Sequence, residues 1–431
     1  MKFTVTPGGA LRGNLRVPGD KSMSHRSVML GALADGTTEV TGFLEGEDAL
    51  ATVAAFRGMG VEIEGPEFGA LRIHGVGLEG LRAPDAPLYM GNSGTSMRLI
   101  SGIVAGQPFH STLTGDASLT RRPMGRVITP LEMMGAAITA REGKPPLDIR
   151  GRRPLTALHY DLPMASAQVK SCVLLAGLFA EGRTSVTEPA PTRDHTERML
   201  RGFGYDVRRE NDVILLESGG RLEATEIDIP ADISSAAFFM VAASIAPGSD
   251  ITLEHVGVNP TRTGIVTLLT LMGADIEWLN EREVGGEPVA DLRVRHAPLS
   301  GIDIPEAEVP LAIDEFPALF IAAACAEGRT TLRGAEELRV KESDRIAAMA
   351  EGLTTLGVHN EPTPDGIVIE GGEMGGGCIR TYHDHRIAMS FAVAGLRANA
   401  PIEILDCDHV ATSFPGFADL ANGVGMKVSV S

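Results

Sequence analysis

Two carboxylates and a set of cations are the residues of this chain whose types and spacing could do chemistry. Asp314 opens an apolar helix in Leu311-Ala312-Ile313-Asp314-Glu315-Phe316. An acid there is either a helix N-cap or a general base held at the wall of a cleft. Glu342 lies between Lys341 and Arg345. It is either a salt-bridge partner or, once substrate charge or desolvation raises its pKa, a proton donor. Basic residues recur in turns and at helix starts. They are Lys21 and Arg26 in Val17-Pro18-Gly19-Asp20-Lys21-Ser22-Met23-Ser24-His25-Arg26, Arg122 in Thr120-Arg121-Arg122-Pro123, and Arg193 in Pro191-Thr192-Arg193-Asp194. Others are Arg339, Lys341 and Arg345 in Arg339-Val340-Lys341-Glu342-Ser343-Asp344-Arg345, and Arg386 in Asp384-His385-Arg386. Arginine forks bind carboxylate and phosphate bidentately. Free N–H groups and the dipole at a helix start also favour an anion. Any one of these segments is equally well a capped helix or a surface ion pair, such as Arg193 with Asp194 or Lys341 with Asp344. All of them together point to a ligand with more than one anionic group. His25, His383 and His385 are read as structural.

The elements that must position these residues form a repeat. Pro18 and Gly19 break the chain, and Asp20 or Ser22 caps a helix running to about Ala34. A strand follows at Thr37–Thr41, a helix at Glu47–Arg57, and paired strands at Val61–Glu64 and Leu71–His74. The same order returns. Later copies of the first helix end near Gly106, Gly182, Gly248, Gly328 and Ala398. The second helix ends at a hydrophobe–glycine step: Met59-Gly60, Met134-Gly135, Phe203-Gly204, Met272-Gly273, Leu356-Gly357 and Val424-Gly425. The intervals between these glycines are 75, 69, 69, 84 and 68 residues. Six copies of one unit are therefore expected, and three copies packed around a helical core would close one domain. The copies start on polar residues, among them Asn92-Ser93-Gly94, Ser166-Ala167-Gln168, Asp232-Ile233-Ser234 and Asp314-Glu315. If the starts converge, their N–H groups line one anion-binding cleft.

Composition narrows the class. The chain has 431 residues, 43% of them hydrophobic, which is enough for two or more cored domains. A formal charge of −18 argues against sequence-independent nucleic-acid binding, although a cleft can still be locally cationic. The four cysteines (Cys172, Cys325, Cys378 and Cys407) are far apart, so neither disulfide nor zinc site is expected. Cys172 and Cys325 sit in apolar runs and read as buried. There is no apolar N-terminal signal segment, and the runs near Ala236–Ala246 and Pro317–Ala326 are too short to span a bilayer. A cytosolic protein is expected. No HExxH, GxGxxG or GxxxxGK[ST] motif calls for a metal or nucleotide.

The segments quoted above, with Gly91-Asn92-Ser93-Gly94-Thr95 and Arg122-Pro123-Met124, resemble the 5-enolpyruvylshikimate-3-phosphate synthase (3-phosphoshikimate 1-carboxyvinyltransferase) family from about residue 5 to the C-terminus. The resemblance implies an inside-out α/β barrel fold. Two domains would each hold three repeated βαβαββ-type units with pseudo-threefold symmetry, helices inside and sheets outside. One domain would be 1–18 plus 232–431 and the other 19–231, with the active site in the cleft between them. It implies transfer of the enolpyruvyl group of phosphoenolpyruvate to the 5-hydroxyl of shikimate 3-phosphate, without a cofactor, by a monomer. By the family's motifs, Lys21, Ser22, Arg26, Ser166, Ala167, Gln168, Arg193, Asp314 and Lys341 would hold shikimate 3-phosphate. Lys21, Asn92, Gly94, Arg122, Gln168, Arg345 and Arg386 would hold phosphoenolpyruvate. Asp314 resembles the base, and Glu342, with Lys21 near, the acid.

Three positions depart from a common pattern of the family. Ala167 stands where many members have Ser, Glu337 where Asn is common, and Thr412 where a Lys is common. The last puts a late lysine contact to phosphoenolpyruvate in doubt. Gly94 leaves room beside that ligand and argues for sensitivity to glyphosate. Two rival readings are an enolpyruvyl transferase acting on UDP-N-acetylglucosamine and a non-catalytic repeat scaffold. The first typically uses a reactive Cys, sometimes an Asp, on the loop near Leu113–Pro123, and that loop has no Cys. The second needs no cluster of Arg, Lys and Asp at helix starts.

Overall fold

The computed structural model describes Met1–Ser431 and contains twelve α-helices. They are α1 (Lys21–Leu33), α2 (Glu47–Gly58), α3 (Gly94–Ala105), α4 (Gly125–Met133), α5 (Ala167–Gly177), α6 (His195–Gly202), α7 (Ile233–Ile245), α8 (Gly264–Leu271), α9 (Phe316–Cys325), α10 (Arg345–Thr355), α11 (His385–Ala394) and α12 (Phe417–Gly423). The odd-numbered helices are buried nearly all round. Every residue of α7 is buried, and α9 leaves only Cys325 partly exposed. The even-numbered helices bury one face. Small residues let the buried helices approach closely. At Gly102 in α3, a Cβ would stand 2.3 Å from the Cys172 carbonyl oxygen of α5.

The chain divides into two units, Met1–Pro18 with Pro230–Ser431, and Gly19–Ile229. Each has its own hydrophobic core. In Gly19–Ile229 three four-stranded sheets share one pattern. A first strand lies parallel to a second, a third pairs antiparallel with the second, and a fourth pairs antiparallel with the third. These are Glu226–Asp228, Asp35–Thr41, Ala70–Val76, Glu62–Glu67; then Leu88–Tyr89, His110–Thr114, Lys144–Arg150, Ala137–Arg141; then His159–Asp161, Arg183–Thr187, Val213–Glu217, Val207–Glu210. The other unit repeats the pattern. Arg12–Leu15 lies parallel to Asp250–Gly257, followed by Glu287–Arg295 and Asp275–Val284. Gly377–Arg380 lies parallel to Ile402–Leu405, followed by Phe3–Val5 and Val428–Val430. The sheet of Arg329–Leu332, Gly366–Glu370 and Asn360–Thr363 has three strands, with Asp303 bridged in parallel to Thr331.

Each expected hydrophobe–glycine step ends an even-numbered helix. The hydrophobe is the C-cap, and the glycine after it has φ between +80° and +118°. That left-handed backbone favours glycine and turns the chain back toward its sheet. Some ends differ from the sequence reading. Helix α5 stops at Gly177, well before Gly182, because Ala180–Glu181 pairs in parallel with Leu155–Thr156. The second changeover falls between Ile229 and Pro230, slightly before Asp232. Ile229 still donates to the Thr41 carbonyl, and Ala231 already donates to that of His255. All four cysteines are unpaired, and Cys325 is half-buried, at the end of α9. No helix is long and apolar enough to cross a membrane.

Candidate active site

In Gly19–Ile229 the starts of α1, α3 and α5 are tied together by side chains. Asp20, not Ser22, caps α1 by accepting from Met23 N at 2.8 Å. Ser93 caps α3, and Ser166 caps α5. Buried His25 of α1 reaches Ser93 Oγ at 3.4 Å and Ser96 Oγ at 3.2 Å. Gln168 in the first turn of α5 accepts from Arg98 Nη1 at 2.5 Å and donates to Thr95 Oγ1 at 3.0 Å. Three of the helix starts that the sequence reading singled out thus converge within this unit.

The predicted binding residues of this unit stand around those starts. Lys21 is the first residue of α1, beside Ser22, and its ammonium pairs with Asp48. Arg26, one turn on, is buried. It donates to Thr196 Oγ1 at 2.6 Å, to the Ser22 carbonyl at 2.9 Å and to Ser171 Oγ at 3.0 Å. Asn92 joins two neighbours, donating to Asp116 Oδ2 at 2.7 Å and accepting from Arg122 Nη2 at 2.6 Å. Gly94 begins α3, and a Cβ there would lie 2.8 Å from Arg98 Nη1 and 3.3 Å from Arg122 Nη1. Two guanidinium groups therefore face the one position that lacks a side chain. Ala167 is the first residue of α5. Arg193 stands on the segment between the strand Arg183–Thr187 and α6.

In the other unit Asp314, Lys341, Glu342 and Arg345 meet directly. Asp314 Oδ1 is 3.4 Å from both Lys341 Nζ and Arg345 Nη1. It does not cap α9; Glu315 occupies that position, without a side-chain cap bond. Arg345 donates to Glu342 Oε2 at 2.6 Å and to Asp384 Oδ2 at 2.9 Å. Burial opposes the charge on Arg345, but the carboxylates of Asp384, Glu342 and Asp314 outweigh it and raise its pKa. Burial likewise works against an ionised Asp384, yet Arg345 holds its carboxyl below the usual carboxylate range. Asp384 also caps α11 by accepting from Arg386 N at 2.9 Å, and Arg386 Nη1 donates to the Asp314 carbonyl at 2.9 Å. Lys341 has a second carboxylate, Glu337, at 2.8 Å. The starts of α7, α9 and α11 are joined in turn. Arg262 reaches Asp232 Oδ1 at 3.0 Å and Ser234 Oγ at 2.5 Å, and Ser234 donates to Glu315.

The sequence reading missed several of these partners. Asp384 lies inside a quoted motif, but only the packing shows it gripping Arg345 across the fold. Arg98 stands one helical turn after Gly94, a spacing that could have marked it. Asp48, Asp116 and Arg262 carried no local signal. Thr412 is buried and donates to the His409 carbonyl.

A family model described as EPSP synthase (3-phosphoshikimate 1-carboxyvinyltransferase) matches residues 5–420. The 3-phosphoshikimate 1-carboxyvinyltransferase of Alkalilimnicola ehrlichii is 68% identical over 431 residues, covering 100% of this chain and 97% of that protein. That of Methylococcus capsulatus is 67% identical over 430 residues, covering 100% and 98%. A solved EPSP synthase from Acinetobacter baumannii superposes with a TM-score of 0.91 at 61% identity, covering 100% of this chain and 99% of that one. The chain belongs to the EPSP synthase family.

Proposed function

We propose that this chain transfers the enolpyruvyl group of phosphoenolpyruvate to the 5-hydroxyl of shikimate 3-phosphate. The products are 5-enolpyruvylshikimate 3-phosphate and phosphate, a shikimate-pathway step toward chorismate and the aromatic amino acids. The observation that carries the reading is a carboxylate, Asp314, flanked at 3.4 Å by Lys341 and Arg345, with a second carboxylate, Glu342, on the same arginine. The reaction needs one group to take a hydroxyl proton and another to protonate carbon, in surroundings that hold several anions.

Lys21, Ser22, Arg26, Ser166, Ala167, Gln168, Arg193, Asp314 and Lys341 hold shikimate 3-phosphate in this reading. Lys21, Asn92, Gly94, Arg122, Gln168, Arg345 and Arg386 hold phosphoenolpyruvate. Asp314 takes the proton of the 5-hydroxyl as its oxygen attacks C2, and Glu342 gives a proton to the methylene carbon. The tetrahedral intermediate then loses a proton from the new methyl group to Glu342. The C–O bond to phosphate breaks, and phosphate leaves with the proton held by Asp314. The cations stabilise charge in both steps. The anchoring of Arg122 by Asn92 and of Arg345 by Asp384 supports the assignment, since a guanidinium fixed in advance needs no reorganisation during reaction.

Three sheets of three or four strands and three buried helices in each unit support an inside-out α/β barrel arrangement, with pseudo-threefold units in domains 1–18 plus 232–431 and 19–231. The reading carries with it a monomeric cytosolic enzyme that needs no cofactor. The rival acceptor, UDP-N-acetylglucosamine, finds less support. The loop near Leu113–Pro123 has no Cys, and burial pushes the Cys172 thiol up to about 12. The test is phosphate release from phosphoenolpyruvate with each acceptor in turn. Release with shikimate 3-phosphate alone is expected, and release only with the UDP-sugar overturns the reading.

A further inference from the structure

Lys170 is a charged side chain with no exposed surface, in the second turn of α5, and the reaction as drawn makes no use of it. Its ammonium lies 3.0 Å from Glu188 Oε1, 2.7 Å from Glu197 Oε1 and 3.5 Å from the Thr192 carbonyl oxygen. Three acceptor groups thus surround the ammonium, of which Glu197 is paired by charge alone, since neither of its oxygens has a hydrogen-bond partner. Each acceptor belongs to a different piece of chain. Glu188 follows the strand Arg183–Thr187, Thr192 immediately precedes Arg193, and Glu197 sits in the first turn of α6. Glu188 is bound further by the Thr192 hydroxyl and by Arg209 Nη1 at 3.4 Å. Both ends of the segment that carries Arg193 are therefore fastened to one buried cation on α5, the helix whose start bears Ser166 and Gln168.

A buried ionic cluster of this kind adds little stability over apolar packing of the same volume, because desolvating the charges offsets their attraction. What it does supply is one geometry. An ammonium held between two buried carboxylates and a carbonyl has one favoured position, whereas an apolar residue there would let the segment settle in several.

We infer that Lys170 is a positioning residue for shikimate 3-phosphate: through Glu188, Glu197 and the Thr192 carbonyl it fixes the segment that presents Arg193. The inference rests on the reading above, in which Arg193 holds that substrate.

Steady-state phosphate release by the full chain, with each substrate varied in turn, tests it. Lys170→Met should raise KM for shikimate 3-phosphate about tenfold, while kcat and KM for phosphoenolpyruvate stay within about threefold. Lys170→Arg, which keeps the charge, should recover part of the loss. In an Arg193→Ala background, Lys170→Met should add less than about threefold, because residues that act through one another are not additive. If Lys170→Met does not fold, Glu197→Gln serves in its place, with a smaller rise in the same KM. Equal rises in both KM values, a fall in kcat alone, or an undiminished effect in the Arg193→Ala background overturns the inference. So does a wild-type KM in Lys170→Met and Glu197→Gln when the wild-type chain turns over normally. A wild-type chain that releases no phosphate with shikimate 3-phosphate instead overturns the function reading and takes this inference with it.

Discussion

Asp314 shows how much a single side chain can be asked to do. Its carboxylate touches two cations, each with other anionic partners: Glu337 on Lys341, and Asp384 and Glu342 on Arg345. Removing it leaves neither cation bare, so Asp314→Ala should keep the fold and a thermal midpoint close to wild type. Turnover should fall by on the order of 10²–10⁴-fold, the usual worth of a general base. Near wild-type turnover in that variant sinks the assignment. Gly94 makes the opposite argument, from an absence of atoms. A methyl group 2.8 Å from Arg98 Nη1 and 3.3 Å from Arg122 Nη1 forces those guanidinium groups to shift. Gly94→Ala should raise KM for phosphoenolpyruvate by roughly tenfold, the effect of about 1.4 kcal/mol, and leave that for shikimate 3-phosphate in place. An equal rise in both would contradict the division of the two substrates among these residues.

At the scale of elements, His25 joins three helices. Its Nδ1 meets Thr52 Oγ1 of α2 at 2.8 Å and Ser96 Oγ of α3 at 3.2 Å, and its Nε2 meets the Ser93 cap. Burial, and then the charges of Lys21 and Arg26, hold its pKa well below the ordinary 6.5. The unfolded chain therefore binds this proton first. The stabilising contribution is complete above pH 6.5 and is lost as pH falls below it toward the folded-state pKa, by at most about 1.4 kcal/mol per pH unit. His25→Asn should be less stable than wild type at pH 7.5, and the gap should narrow by pH 5. Thermal midpoints at the two values check this, and a gap that does not narrow would show that His25 is not the linked group.

At the scale of the whole molecule, the first eighteen residues belong to the unit that the chain re-enters at Pro230. Phe3–Val5 is an interior strand, paired with Ile402–Leu405 on one side and Val428–Val430 on the other. Arg12–Leu15 completes the sheet of Asp250–Gly257. The segment Gly19–Ile229 depends on neither, since Glu226–Asp228 supplies its own last strand. Expressed alone, residues 19–229 should unfold cooperatively in denaturant. Residues 230–431 alone should not, because removing an interior strand leaves its neighbours' backbone groups unpaired. A cooperative transition for 230–431 without residues 1–18 refutes this account of the N-terminal strands.

The sequence by itself determined the repeat, because glycine after a hydrophobic C-cap is a local requirement of the backbone, and six such steps recur at similar intervals. It also determined which residues carry the family's motifs, since Lys21, Arg122, Lys341 and Arg386 lie in short, ordered runs. Helix capping was only half legible. Asp20 and Ser22 were equivalent by type, and only the bond to Met23 N distinguishes them. The N-cap reading of Asp314 likewise stayed open until packing put Glu315 at the cap position and Lys341 and Arg345 beside the carboxylate. What the tertiary structure alone decided is the set of partners that hold the cations still: Asp48, Asp384, the acceptors around Lys170, and Asn92, itself bound to Asp116. Each lies far in sequence from the group it meets. A contact of that kind depends on how helices and sheets pack against one another, and no local pattern of residues encodes it.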